Sequence, residues 1–172
     1  MNSARSILIG YDFKISILLT VILYFILPDY LLMKFMVTYY NIVITIVSII
    51  FSLLFTACSI LMSSSDDDFI IFLNKDKIFD DLLWTFKITL IALFVCLIYS
   101  LFLYVLTNYY IENSKNGEIW YHHKIVFCSL TLITTYSLIA TYLSVENTLI
   151  FSKFRSKYLK IKKISKNESK PK

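Results

Sequence analysis

Few side chains in this sequence could do chemistry. The densest set is the string Ser63-Ser64-Ser65-Asp66-Asp67-Asp68-Phe69-Ile70-Ile71-Phe72-Leu73, followed by Asp76, Asp80 and Asp81. Clustered carboxylates can hold a divalent cation, but this order lacks the D-x-D-x-D-G loop and distal Glu of an EF-hand. Serines followed by aspartates instead mark a helix start, with hydroxyl caps and then negative charge on the positive end of the dipole. Such an acidic surface suits a basic patch, either a partner's or the chain's own tail. Asp66, Asp67, Asp68, Phe69 and Phe72 are therefore candidate docking residues. His122-His123 is a second candidate cluster, but adjacent histidines point apart in regular structure and no third ligand is near in sequence. Cys58, Cys96 and Cys128 form no CxxC pair, and their odd number and apolar surroundings favour packing over a disulfide framework. No HExxH, P-loop or Ser-His-Asp constellation occurs. The chain is expected not to be an enzyme, with no metal and no cofactor.

Hydroxyls give a subtler pattern. Thr134, Ser137, Thr141, Ser144 and Thr148 recur at alternating spacings of 3 and 4, which is one seam of a helix at a heptad period. Asn41, Thr45, Ser48, Ser52, Thr56, Ser59 and Ser63 repeat the pattern earlier in the chain. Small hydroxylated residues let membrane helices approach closely and bond across the contact. The same stripes could instead line a water-filled path in an oligomer, although no charged ring or carbonyl filter accompanies them. Glu146, beside Asn147, is an intramembrane carboxylate and so a functional candidate. It could also reach the cytoplasmic interface or pair with Lys87 or Lys153. Asp12 and Asp29 read as ordinary interfacial residues.

The elements that must carry these residues are four apolar stretches, at about 13–35, 36–62, 82–107 and 125–152. The chain is 58% hydrophobic and its mean hydropathy is +0.68, against about 45–50% apolar residues in soluble domains. A hydrocarbon core about 30 Å thick takes about 20 helical residues to cross. Lipid offers the backbone no partners, so each crossing segment must be a helix. The expected fold is all-α: a four-helix transmembrane bundle over residues 1–152, with a cytoplasmic connection at 63–81, an outer connection at 108–124 and a basic tail at 153–172. The first stretch is the exception to regularity. Pro28-Asp29 must break or kink it, so Tyr30–Phe35 are expected in the outer interface as a short re-entrant piece. No small-x-small cleavage site follows it, so it is expected to remain as a signal anchor.

Charge sets the expected orientation. Of the 17 Lys and Arg residues, 13 lie in the N-terminus, the 63–81 connection and the tail. Lys34, Lys115 and Lys124 lie opposite, and Lys87 sits just inside the third stretch. The positive-inside rule then places both termini in the cytoplasm. Tyr30, Tyr39, Tyr40, Tyr104, Tyr109, Tyr110, Trp120 and Tyr121 would form the outer aromatic belt. The last twenty residues carry nine Lys or Arg against one Glu. Phe151, Phe154, Tyr158, Ile161 and Ile164 recur at near-helical spacing, so the last span can continue as an amphipathic basic helix. Such a helix fixes topology and binds anionic lipid, or docks an acidic partner through Lys157, Lys160, Lys162 and Lys163. No nucleic-acid-binding fold accompanies it, so direct nucleic-acid contact is not expected.

The four spans, the S-S-S-D-D-D-F-I-I-F-L connection at Ser63–Leu73 and the basic tail together resemble the small four-span membrane subunit of the prokaryotic antiphage system Kiwa. The resemblance covers nearly the whole chain. It implies an inner-membrane, multi-pass subunit that assembles as a homo-oligomer, a tetramer. It further implies a sensor of membrane disturbance during phage infection, holding a soluble cytoplasmic DNA-binding protein. The competing reading from the residues is an oligomeric pore that depolarises the membrane. A third is a small transporter or accessory subunit in which Glu146 acts.

Overall fold

The computed structural model describes residues 2–63, 78–113 and 121–168. Among them are four helices: α1 (Asn2–Ile26), α2 (Met33–Ser63), α3 (Ile78–Asn113) and α4 (Lys124–Glu168). Two short strands, β1 (Tyr30–Leu32) and β2 (Tyr121–His123), complete the described elements. Three segments are long and apolar enough to cross a membrane: Met33–Ser63, Phe79–Asn113 and Lys124–Lys160. The protein is therefore a helical, membrane-embedded one.

The helix of the first apolar stretch, expected to break or kink at Pro28-Asp29, stops at Ile26. Leu27 still donates to the Leu23 carbonyl at 3.0 Å, but Pro28 has no N–H to continue the ladder and disfavours helical backbone before it. Of Tyr30–Phe35, expected as a short re-entrant piece, Tyr30–Leu32 form a strand and Met33–Phe35 open α2. The strand pairs antiparallel with β2, Tyr30 opposite His123, Leu31 opposite His122 and Leu32 opposite Tyr121. A hydrogen bond from the Lys124 amide to the Asp29 carbonyl at 2.9 Å extends this ladder. His123 Nδ1 accepts from the Ile125 amide at 3.2 Å, which caps an otherwise orphan donor at the start of α4. Asp80 and Asp81 occupy the first turn of α3, where carboxylates meet the positive end of the dipole.

Side-chain pairs fix how the helices neighbour one another. Phe51 of α2 meets Phe94 of α3, with centroids 6.3 Å apart, and Thr89 of α3 meets Ser144 of α4 at 2.7 Å. Phe13 of α1 meets Tyr136 of α4 edge-on at 6.2 Å. α2 touches α4 as well, where the Tyr39 and Phe127 rings lie 4.5 Å apart and the Tyr39 hydroxyl bonds Thr131 at 2.8 Å. The core lies among α2, α3 and α4, around Met36, Tyr40, Val47, Phe86, Leu93, Cys96 and Leu130. α1 packs on α4.

Candidate functional site

The two hydroxyl stripes end up in different surroundings. On α4, Ser137 and Ser144 are fully buried, while Thr134, Thr141 and Thr148 are partly buried. This stripe lies against α3. Ser144 donates to the Ala140 carbonyl at 3.0 Å and meets Thr89 Oγ1 at 2.7 Å. Thr134 meets Cys96 Sγ at 3.4 Å. Nearer the β strands, Tyr99 bonds Ser129 at 2.8 Å and Thr107 bonds His122 Nε2 at 2.9 Å. A ladder of polar contacts thus runs along the α3–α4 interface. On α2, by contrast, Thr45, Ser52, Thr56 and Ser59 are exposed and Ser48 is half-buried. Thr45, Ser48, Thr56 and Ser59 each donate to a carbonyl three or four residues back on their own helix. Self-bonded hydroxyls of this kind are tolerated against lipid because no donor is left open. The stripes of α2 and α4 therefore do not face each other within one subunit.

Glu146 is exposed. Among the described residues it pairs with neither Lys87 nor Lys153. At 1.5 Å per residue it lies about 33 Å along α4 from Lys124, a full core thickness of about 30 Å away.

α4 is 45 residues long, which is about 67 Å of helix. Contacts with Thr89 and Tyr39 give its level relative to its neighbours: the start of α3 and the end of α2 both fall near Arg155. Past that point α4 runs on to Glu168, about 20 Å beyond the described ends of α2 and α3. Lys157, Lys160, Lys162 and Lys163 on this extension are all exposed. They divide between two faces. A shallow hollow of about 420 Å³ is lined by Ser152, Arg155, Ser156, Leu159, Lys160 and Lys163. Lys157 lies over the Phe154 ring at 5.9 Å and Lys162 over the Tyr158 ring at 5.6 Å. Phe154 and Tyr158 themselves pack at the lower edge of the core. The other candidate docking residues, Asp66, Asp67, Asp68, Phe69 and Phe72, lie outside the described residues.

At the opposite end the strands and the polar ladder meet. Asp29 Oδ1 accepts from Lys124 Nζ at 2.7 Å, and the same ammonium lies 4.1 Å from the Tyr24 ring centroid. That hydrogen bond, with the Lys124 charge behind it, holds the Asp29 carboxyl below its ordinary 3.8. Burial holds the His122 imidazole below its ordinary 6.5. Both groups have folded-state values lower than their unfolded ones, so each favours the fold at neutral pH. The His122 part is lost as pH falls from 6.5 through its folded value, and the Asp29 part below 3.8. Amide protection in Tyr30–Leu32 and Tyr121–His123 should therefore drop in two steps on acidification, read by hydrogen exchange. His122→Gln should remove the first step and leave the second.

Two residues are more buried than their sequence context suggests. Asp12, expected as an ordinary residue, is only 8% exposed and lies near the level of Tyr136 on α4. Its neighbours on the page were Tyr11 and Lys14, which look like an interface. Ser16, also buried, donates to the Asp12 backbone carbonyl at 2.8 Å. Tyr40 is fully buried rather than in the aromatic belt. Its hydroxyl is the one buried side-chain oxygen that has no partner among the described residues. Among those residues, no three His, Cys, Asp or Glu side chains converge.

Fold and site together define a small multi-pass membrane protein with an internally bonded helix pair and a basic helical extension. No family model, curated protein or solved structure matches the chain, so its function must be argued from these features.

Proposed function

We propose that the chain is a four-span sensor and scaffold subunit of the inner membrane, of the kind the Kiwa resemblance implies. α1 is the fourth span, and both termini and the α2–α3 connection are cytoplasmic. In this reading the subunit is not an enzyme. It assembles with copies of itself, responds to membrane disturbance during phage infection, and holds a soluble, DNA-binding cytoplasmic protein.

The observation that carries this reading is the extension of α4. A basic helix that runs about 20 Å past the described ends of α2 and α3 carries exposed Lys157, Lys160, Lys162 and Lys163, which in this orientation face the cytoplasm. Reach of that size is more than a bilayer anchor needs and suits capture of an acidic protein surface. The exposed α2 stripe supports self-association, since hydroxylated small residues favour close helix contact in lipid. A pore built on the stripes is less well supported, because the α4 stripe is already occupied by α3.

Native mass spectrometry of the gently solubilised protein, expressed with its genomic neighbours, tests the reading. A stoichiometric complex with a soluble protein supports it, and a homo-oligomer alone shifts the weight to the pore. Ser52→Leu and Thr56→Leu should each weaken self-association about 3- to 30-fold, the equivalent of about 0.6–2 kcal/mol per lost contact. Because both side chains are exposed, the thermal stability of the dissociated subunit should not change.

A further inference from the structure

A groove of about 360 Å³ lies among α1, α3 and α4. Phe13 of α1 forms one lip, Ala92 and Val95 of α3 form the other, and Leu132, Ile133 and Tyr136 of α4 form the floor. It is left open because α1 packs on α4 without packing closely on α3. Both lips reach the outside of the bundle, since Phe13 and Val95 are each 49% exposed.

Two contacts set the depth of the groove. The Tyr24 ring of α1 stands beside the Lys124 ammonium, and Phe13 meets Tyr136. Phe13 is then about 16 Å along α1 from Tyr24, and Tyr136 about 18 Å along α4 from Lys124. Both counts lead close to the middle of a hydrocarbon core about 30 Å thick. Lys14, the residue after Phe13, is exposed at about this depth. Its side chain leans towards the N-terminal end of α1, where its ammonium lies 5.7 Å from the Tyr11 ring. An exposed ammonium so deep in hydrocarbon is costly, and the cost is relieved by snorkelling and by drawing lipid headgroups inward.

We propose that Lys14 and the α1–α3–α4 groove form a binding site for one anionic phospholipid of the inner leaflet. The lipid phosphate meets the Lys14 ammonium, and one acyl chain climbs past Phe13 into the groove. Charge complementarity at Lys14 selects the head, and the aliphatic and aromatic walls take the chain. A peptide would bring unpaired backbone groups into hydrocarbon at this depth, whereas an acyl chain brings none. The inference rests on the topology proposed above, with α1 a span and its N-terminal end cytoplasmic, and on nothing else in that reading.

The probe is phosphatidylglycerol with a photoreactive diazirine at the end of one acyl chain, added to the full chain in phosphatidylcholine nanodiscs. Labelling should saturate as the probe fraction rises and should map to Ala92, Val95 and the Leu132–Tyr136 turn. The same diazirine chain on phosphatidylcholine should label these positions at least threefold less. Lys14→Gln should remove that difference between headgroups. Val95→Trp, which fills the groove and leaves Lys14 in place, should cut labelling by both probes at least fivefold. Both substituted side chains are exposed, so both variants should fold. Labelling spread evenly over exposed residues such as Leu53, Phe102 and Tyr142 would mean surrounding lipid only and would overturn the proposal. So would equal labelling by the two headgroups in the wild type, or a folded Val95→Trp protein labelled like the wild type. Partner capture is not read in this assay, so its outcome stands apart from the test of the scaffold reading.

Discussion

Ser144→Leu should destabilise the bundle by about 2–4 kcal/mol, the largest effect expected of any stripe substitution. Ser144 is fully buried and Thr89 opposite it is 1% exposed, so the contact has no room for three added carbons. Over-packing a tight interface costs about 1–3 kcal/mol. Loss of the bond across the helices adds about 0.6–2 kcal/mol. Thr89 is not orphaned, because its hydroxyl keeps the Thr85 carbonyl at 2.9 Å and the Ala140 carbonyl at 3.3 Å. The penalty is therefore steric first and polar second. Two comparisons separate these parts. Ser144→Ala should cost only the bond, and a double-mutant cycle with Thr89→Val should give a coupling of about 0.6–1.7 kcal/mol. Equilibrium unfolding in bicelles measures all three. A water-lined pore predicts the opposite pattern: Ser144→Leu would leave stability unchanged and block flux.

The reason this substitution and Ser52→Leu differ so much was only half legible in the sequence. Both stripes have the same heptad spacing. On α4 the stripe coincides with the buried set, since Ser137 and Ser144 share it with Leu130, Ala140 and Phe151. On α2 a second series, Met36, Tyr40, Val43, Val47 and Leu54, is the buried one. It has a similar spacing and sits one or two residues before the hydroxyls, about 100–200° round the helix. In a membrane helix both faces are apolar enough to bury, so periodicity alone cannot say which turns inward. The choice is made by partners far away in sequence: Phe51 must meet Phe94 and Tyr39 must meet Phe127. The helical, membrane-embedded architecture was legible because each long apolar stretch has only one way to satisfy its backbone in lipid. Pro28 announced the break before β1, but the strand pairing of Tyr30–Leu32 with Tyr121–His123 joins segments about ninety residues apart and leaves no local signature. The burial of Asp12 is equally non-local, because α1 packs on α4.

Replacing both Lys160 and Lys163 by Glu should reduce capture of the soluble partner at least tenfold and leave binding of anionic lipid by the solubilised subunit unchanged. The argument is one of distance. In the proposed orientation Lys124 marks the outer edge of the hydrocarbon core, and Lys160 stands about 54 Å further along α4. The core and headgroups together occupy about 40–45 Å. From the outer core edge the inner headgroups end after about 35–38 Å. Even with a tilt of about 20°, Lys160 stands about 51 Å away, about 13–16 Å beyond them and further than a Debye length of about 8 Å; Lys163 stands further still. Anionic lipid, at about 1 kcal/mol per basic residue near the surface, acts on residues nearer the core such as Lys153. The lysines of the extension are left for a protein surface. Lys157 and Lys162, which lie over the Phe154 and Tyr158 rings, should matter less than the pair lining the hollow with Ser156 and Leu159. Pull-down of the partner from cells carrying each pair of substitutions, with titration of anionic lipid into the micelle-solubilised subunit in parallel, separates the two roles. Equal loss in both assays would make the extension a lipid anchor and remove the main support for the scaffold reading.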